Sequence, residues 1–168
     1  GNLSHIHINK KDQNRLQTNL VRSHASAIGK PFELGIVRTI LFLKLLTYSR
    51  GYSGVSIELV KKIQELINKD ILPVIPEKGS VGASGDLAPL GHMALSLIGE
   101  GKVFYQGKVF KTKTIFNRQN INPLILGPKE GISLINGTQV STALAIKACL
   151  DGDILLKSAD IAGAFSVE

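Results

Sequence analysis

The sequence predicts a mainly α-helical fold with one small β-hairpin. Apolar residues recur at helical spacing through most of the chain, proline and glycine concentrate in one segment, and strand-like alternation is confined to one short stretch. With 168 residues, 43% of them apolar, the chain is long enough to bury one sizeable core. We therefore expect residues 1–168 to form a single domain.

The first part of the chain predicts three helices. Asp12 to Ile28 has apolar residues at helical spacing and is followed by a Gly-Lys-Pro stop. Glu33 to Ser49 is apolar nearly all round, which is typical of a helix buried on most sides. Ser56 is placed to cap a third helix that ends near Asn68.

The middle of the chain changes character. Proline and glycine in the segment 76–90 exclude a regular helix until about Asp86, so this segment is predicted to be an ordered loop. Helical spacing resumes from Leu87 to Leu97. Lys102 to Phe110 then predicts a β-hairpin that turns at Gln106-Gly107.

The last part returns to helix after a polar connector at Asn117 to Asn122. A helical pattern begins at Lys129, is interrupted near Asn136-Gly137, and resumes with Thr138 placed to cap it. The pattern is still apolar at Ile161 to Val167, so the chain is expected to be a truncated portion of a larger helical subunit. Such a portion should expose apolar surface that a partner covers.

Charge and cysteine content bound the function classes. The formal charge of +7, from 20 Lys and Arg against 13 Asp and Glu, is spread along the chain, so nucleic-acid binding is not predicted. The single cysteine, Cys149, lies in an apolar pattern and is interpreted as a core thiol in a reducing compartment. The longest apolar stretch, Thr39 to Leu46, is interrupted by Lys44 and is too short to span a membrane. A cytoplasmic location is expected.

The segment Gly79 to Asp86, with the sequence GSVGASGD, fits none of the common glycine-rich motifs. A phosphate-binding loop needs Gly-Lys followed by Ser or Thr, and here Lys78 precedes Gly79. A nucleophile elbow needs glycine two residues to either side of Ser84, but Asp86 takes the second position. On composition alone, a glycine-rich turn leading into a helix is as good an interpretation as a catalytic segment.

The sequence GSVGASGDLAPL at 79–90 resembles the signature of the histidine and aromatic amino acid ammonia-lyase family. The resemblance continues in the family's order through the segments LVRSHA, RGYSG, GEG and KEGISLINGTQ, at residues 20–25, 50–54, 99–101 and 129–139. It covers essentially the whole chain.

The resemblance implies that Ala83, Ser84 and Gly85 cyclise and lose two waters to form a 4-methylideneimidazol-5-one group, with no external cofactor. The amide nitrogen of Gly85 must attack the carbonyl of Ala83, an approach that a side chain would hinder. Ser84 supplies the hydroxyl whose elimination leaves the methylidene. Asp86 is expected to cap the following helix or, as the alternative, to hydrogen-bond the forming ring.

Two further residues follow from the resemblance. His24, in the pair Ser23-His24, is similar to the histidine-specific branch, in which the imidazole contacts the substrate's side chain. Asn136 resembles the asparagine that binds near the prosthetic group and the substrate. No metal is expected, because His5 and His7 have no acidic or cysteine ligand at useful spacing.

The resemblance also implies a histidine substrate, a homotetramer in the full-length enzyme, and a catalytic tyrosine that this chain lacks. The isolated chain is therefore expected to be inactive. Two alternatives remain open at this point: a phenylalanine or tyrosine ammonia-lyase or aminomutase, and a non-catalytic helical fragment that acts only through assembly.

Overall fold

The computed structural model describes residues 9–82 and 84–167, with the backbone alone at 10 and 11, and it is mainly helical. The helices are α1 (Lys10–His24), α2 (Leu34–Ser49), α3 (Ile57–Asn68), α4 (Leu87–Leu97), α5 (Thr112–Arg118), α6 (Glu130–Ile135) and α7 (Gln139–Val167). The strands are β1 (Ile28–Pro31), β2 (Leu72–Pro73), β3 (Pro76–Lys78), β4 (Lys102–Tyr105) and β5 (Lys108–Lys111). The predicted mainly α class is confirmed.

The predicted bounds of the helices between residues 33 and 97 agree closely with the structure. The expectation that the second helix is buried on most sides was wrong, because Leu34, Phe42 and Leu46 are exposed. Helices α2 and α4 have nearly the predicted bounds. Ser56 caps α3, because its hydroxyl accepts a hydrogen bond at 3.2 Å from the backbone amide of Leu59. The capping residue and the helical spacing of apolar residues were sufficient to predict where these helices lie.

The first helix is shorter than predicted. It ends at His24 instead of Ile28, and Ile28–Pro31 forms strand β1, which pairs antiparallel with β3. The chain crosses α4 closely at this point: a Cβ on Gly91 would lie 2.8 Å from the backbone nitrogen of Ala25. Tertiary packing of α1 against α4 therefore ends the helix before the Gly-Lys-Pro signal is reached.

The hairpin prediction is confirmed but incomplete. Strands β4 and β5 pair around Gln106 and Gly107, both of which have positive φ as a tight hairpin turn requires. Strand β2 extends this pair to a three-stranded sheet, and β1 with β3 makes a second sheet. Strands β1, β2 and β3 have only two to four residues and no alternation of apolar and polar residues, so the sequence pattern could not reveal them. The predicted connector at Asn117 to Asn122 was also wrong in part, since α5 continues to Arg118.

One apolar cluster holds the helices together. Helices α2, α3 and α4 each contribute fully buried side chains, and β4 and α5 close the cluster. Its fully buried members on these elements include Ile40, Leu41, Leu59, Ile63, Leu66, Leu90, Met93, Leu97, Val103, Ile115 and Phe116. This core fixes α2, α4 and α6, which carry or adjoin the residues around the glycine-rich loop.

Helix α7 packs against α2 only through its first turns. Gln139, Val140 and Ala143 are its buried residues, and its later apolar side chains are exposed, among them Leu150, Ile154, Leu155, Leu156, Ile161 and Phe165. The expected exposure of apolar surface is confirmed.

Cys149 is exposed as well, so its interpretation as a core thiol was wrong, because α7 extends past the helix it packs on. None of the described helices has the length and hydropathy needed to cross a membrane.

Candidate active site

The glycine-rich loop is held where its backbone meets the end of α6. The amide of Asp86 donates a 2.8 Å hydrogen bond to the carbonyl oxygen of Gly137. Gly85 is buried with φ of +127°, and a Cβ built on it would lie 2.8 Å from both the nitrogen and the oxygen of Gly137. Only glycine fits this approach. Ala83, the first residue of the predicted ring, lies outside the described residues.

Asn136 stands beside the same point of contact. Its Oδ1 lies 3.1 Å from the position that a Cβ on Gly85 would occupy. The residue ends α6 with an extended backbone and an exposed side chain. The fold thus brings Asn136 to the predicted ring-forming segment across 51 residues of sequence, counted from 85 to 136. Its amide can both donate and accept.

His24 shares a cavity with the loop. The cavity has a volume of about 240 Å³, and His24, Ser84 and Gly85 are among its lining residues, together with Ser23, Ser26, Gly79, Val81, Leu87 and Ala88. His24 is the last residue of α1, so the early end of that helix places its ring at the cavity wall.

The hydrogen bonds of His24 fix which ring nitrogen carries the proton. Nδ1 lies 2.9 Å from the carbonyl oxygen of Leu20, which can only accept, so Nδ1 carries the proton. The Ser23 hydroxyl donates to the same carbonyl and lies 3.0 Å from Nδ1. In the neutral ring Nε2 is then left as an acceptor for a ligand.

Asp86 was predicted to cap α4, the helix that follows it, and this prediction was wrong. Asp86 precedes α4, but its side chain makes no cap hydrogen bond there. Its fully buried carboxylate instead accepts hydrogen bonds from the Ser80 hydroxyl at 2.6 Å and from the amide and hydroxyl of Ser141 in α7, at 2.8 and 2.6 Å. Because Ser141 lies in the first turn of α7, Asp86 satisfies that helix's free amide donors. The alternative, a bond to a forming ring, stays a prediction.

Burial and hydrogen bonding act in opposite directions on Asp86. Burial raises the pKa of its carboxyl, but the hydroxyls of Ser141 and Ser80 and the backbone amides of Ser141 and Val140 outweigh it, so the pKa lies below its usual value. The group is therefore a fixed negative charge at the base of the loop.

A second cavity, of about 640 Å³, adjoins the loop on the side of α2. It is lined by Ser84 and Asn136 and also by residues that sequence reasoning missed, chiefly Lys44, Tyr48 and Gln139. The sequence did contain one signal: Lys44 interrupts a helix that is otherwise apolar nearly all round. A lysine in such a helix is unusual, because burying its charge is costly.

The charge of Lys44 is costly at this position. The side chain is only 1% exposed, and burial lowers the pKa of its ammonium to about 8, while the negative charge of Asp86 acts in the opposite direction. Tyr48, one turn later, donates its hydroxyl to the backbone oxygen of Ser133 at 3.0 Å, and burial raises its pKa. The wall of this cavity is thus cationic at Lys44 and neutral at Tyr48.

Across residues 9–82 and 84–167, no group of three His, Cys, Asp or Glu side chains could hold a metal ion. His5 and His7 lie outside these residues.

The fold and the loop define a helical protein whose glycine-rich segment is held between α4 and the α6–α7 junction. Residues 1–168 match the family model for aromatic amino acid lyases, and the chain belongs to that family. The histidine ammonia-lyase of Alkaliphilus oremlandii is 47% identical to it over all 168 residues, and the chain spans 33% of that relative's length.

Solved structures show the same fold in related enzymes. The histidine ammonia-lyase of Trypanosoma cruzi superposes with a TM-score of 0.81 at 34% identity, over 89% of this chain and 29% of that one. The tyrosine aminomutase of Streptomyces globisporus superposes with a TM-score of 0.75 at 40% identity, over 83% of this chain and 26% of that one. The fold is therefore shared by enzymes with different substrates.

Proposed function

We propose that this chain supplies the ring-forming loop and part of the substrate pocket of a histidine ammonia-lyase, which eliminates ammonia from L-histidine to give urocanate. The observation that carries the proposal is the cavity that His24 shares with Ser84 and Gly85. An imidazole acceptor beside the ring-forming residues suits a substrate that itself carries an imidazole. The 47% identity to a histidine ammonia-lyase supports the same substrate.

The described residues fit a 4-methylideneimidazol-5-one formed from Ala83, Ser84 and Gly85. Gly85 has no side chain to hinder closure, and its backbone is held against Gly137. Ser84 is exposed to both cavities, so its side-chain carbon is accessible to a substrate. When present, the group supplies an electrophile that makes the substrate's amino group a better leaving group.

The chain's own side chains have binding and orienting roles in this proposal. The Asn136 amide is placed to hydrogen-bond the substrate or the ring. Nε2 of His24 accepts from the N–H of the substrate's imidazole, while Leu20 holds Nδ1. A partly buried polar acceptor of this kind discriminates against a substrate that cannot donate to it.

The site is incomplete within this chain, which spans a third of the length of the curated relative. We expect the chain alone to be inactive, because the proton-abstracting base must come from elsewhere. The exposed apolar residues of α7 support assembly into a homo-oligomer, a tetramer by resemblance. A cytoplasmic location remains a prediction.

A second candidate is an aromatic amino acid lyase or aminomutase. The 40% identity to a tyrosine aminomutase over 83% of the chain favours keeping it. His24 separates the two candidates only for phenylalanine, whose ring offers its acceptor nitrogen no donor, whereas the hydroxyl of tyrosine can donate to it. Substrate choice therefore discriminates them.

The proposal is tested on the complete gene product. Its intact mass should fall short of the calculated mass by two waters, localised to the peptide containing residues 83–85. Ammonia release should be fast with L-histidine and slow with L-phenylalanine and L-tyrosine. A missing mass deficit would support the non-catalytic alternative, and preference for an aromatic substrate would support the second candidate.

The role of His24 needs a matched control. His24→Leu should lower kcat/KM for L-histidine by about a hundredfold, because a buried donor of the substrate loses its acceptor. His92→Asn, at a histidine that lines neither cavity, should leave kcat/KM within a few-fold of the parent's. Equal effects of the two substitutions would contradict the proposed contact.

A further inference from the structure

Lys44 is a buried cation that the proposed chemistry does not use. It lies in the middle of α2, between the core residues Leu41 and Tyr48, and is among the largest fully buried side chains of the described protein. Its ammonium makes one hydrogen bond, at 3.3 Å to Oε1 of Gln139, and lies 5.5 Å from the centre of the Tyr48 ring. A buried charge of this kind is costly unless its surroundings use it.

Gln139 connects Lys44 to the segment that holds the loop. Its Oε1 accepts from Lys44, and its Nε2 donates to the Thr47 hydroxyl at 3.2 Å, so two residues of α2 fix the orientation of the amide. The same amide packs on Gly137, since any Cβ there would overlap Oε1 of Gln139. The position of Gly137 thus depends on an amide that α2 holds.

Gly137 in turn sets the backbone of the ring-forming loop. Its carbonyl accepts from the amide of Asp86, and its nitrogen and oxygen lie in the space that a Cβ on Gly85 would fill. The negative charge of Asp86 also attracts the Lys44 ammonium. Lys44 is therefore linked to the Gly85–Asp86 segment in two ways. It contacts Gln139, which packs on Gly137, and its charge is attracted by that of Asp86.

We propose that Lys44 is a positioning residue for ring closure, holding Gln139 and Gly137 in the arrangement that presents Gly85 to the carbonyl of Ala83. This inference rests on the proposed function. In the closure, the Gly85 nitrogen bonds the Ala83 carbonyl carbon, and that oxygen leaves as water with the hydrogens of the Gly85 and Ser84 amides. The Ser84 hydroxyl and α-hydrogen leave as the second water. Lys44 forms no bond in either step.

The test measures how fast newly made complete gene product loses two waters, by intact mass at successive times. Lys44→Met keeps the length and apolar stem of the side chain and removes the charge. We expect its rate of water loss to fall at least tenfold in the soluble fraction. Lys62→Met, at a partly buried lysine on α3 that pairs with Glu65, serves as the control and should mature at the parental rate.

The outcomes are separable. A parent that never loses two waters overturns the proposed function, and this inference with it. A parent that matures while Lys44→Met matures equally fast overturns this inference alone. A merely structural lysine would lower the unfolding midpoint and leave the rate of water loss in the folded fraction unchanged. If Lys44→Met is insoluble, Gln139→Met decides: slow maturation supports the relay, and a parental rate overturns it.

Discussion

The carboxylate of Asp86 accepts two hydrogen bonds from Ser141, 55 residues further along the chain, at 2.8 Å from the amide and 2.6 Å from the hydroxyl. Asp86 thus stabilises the start of α7 and not the helix that it precedes. The loop and α7 are thereby joined through a single buried side chain. Any movement of α7 relative to α4 would have to break these bonds.

Asp86→Asn should lower the free energy of unfolding by about 1–3 kcal/mol, because the amide replaces an acceptor oxygen with a donor that faces other donors. The measurement is urea-induced unfolding of the chain. Asp151→Asn, which removes an exposed partner of Lys147 on α7, is the matched control and should cost less than about 1 kcal/mol. Equal losses of unfolding free energy in the two variants would show that the buried carboxylate stabilises the fold no more than the exposed one does.

The close approach at Gly85 gives a second prediction. Gly85→Ala should lower the free energy of unfolding by about 2–4 kcal/mol, since it adds overpacking against Gly137 to the strain of a positive φ. Gly82→Ala, three residues earlier, also has a positive φ but opens onto free space, and should cost only about 1 kcal/mol. Denaturant unfolding of both variants compares them, and a smaller loss for Gly85→Ala would argue against the packing described here.

Sequence reasoning located the long helices. It missed short strands and other features that depend on contacts between residues far apart in the sequence. Helices α2 and α4 follow from local apolar spacing and capping, which depend on neighbouring residues alone. Strand β1 was assigned to a helix because its pairing with β3 and the crossing of Gly91 over Ala25 are tertiary contacts. Cys149 was placed in the core because an apolar pattern does not state whether a partner covers it.

The site shows the same division. Motif resemblance selected His24, Ser84, Gly85 and Asn136, and the fold brings them to adjoining cavities. It could not reveal Lys44, whose significance comes from contacts with residue 139, on another helix. A lysine inside an all-apolar helix was a usable signal, but the sequence alone gives no partner for it.

Glu130 gives a third prediction, for stability. Its carboxylate is 3% exposed, and its two oxygens accept separately from the amides of Ser56, at 2.8 Å, and Gly127, at 2.6 Å. Glu130→Gln leaves one acceptor for two donors and should cost about 1.5–3 kcal/mol in urea unfolding. Glu77→Gln, at an exposed carboxylate on β3, should cost less than about 0.5 kcal/mol. A loss confined to the Glu77 variant would contradict the assignment.

Helix α7 should show a gradient of protection along its length. Its first turns pack on α2, whereas residues 144–167 are exposed apart from partly buried Gly152. Amides beyond Leu150 should therefore exchange with deuterium faster than those near Ala143, since opening there breaks no tertiary contact. Hydrogen-exchange mass spectrometry of the isolated chain measures this. Uniform slow exchange would mean that α7 is covered in solution, for instance by a second copy.

The buried ammonium of Lys44 predicts how stability depends on pH. Burial lowers its pKa to about 8 from the ordinary 10.5, so between these pH values the unfolded chain binds more protons than the folded one. Stability therefore rises with pH across this window, and the full penalty, about 3 kcal/mol, is present below pH 8. Asp86 stays charged in this window. Burial raises the pKa of Tyr48, so near pH 10 the ionisation of this group in the unfolded chain opposes the effect. Tyr48 is present in both the parent and Lys44→Met, so the difference between the two proteins removes its contribution. Urea unfolding of the parent and of Lys44→Met at intervals from pH 7 to 10.5 measures it. The parent should gain stability relative to Lys44→Met as the pH rises, and a difference that stays constant would mean that the pKa of Lys44 is the same in the folded and the unfolded chain, as for a solvated ammonium.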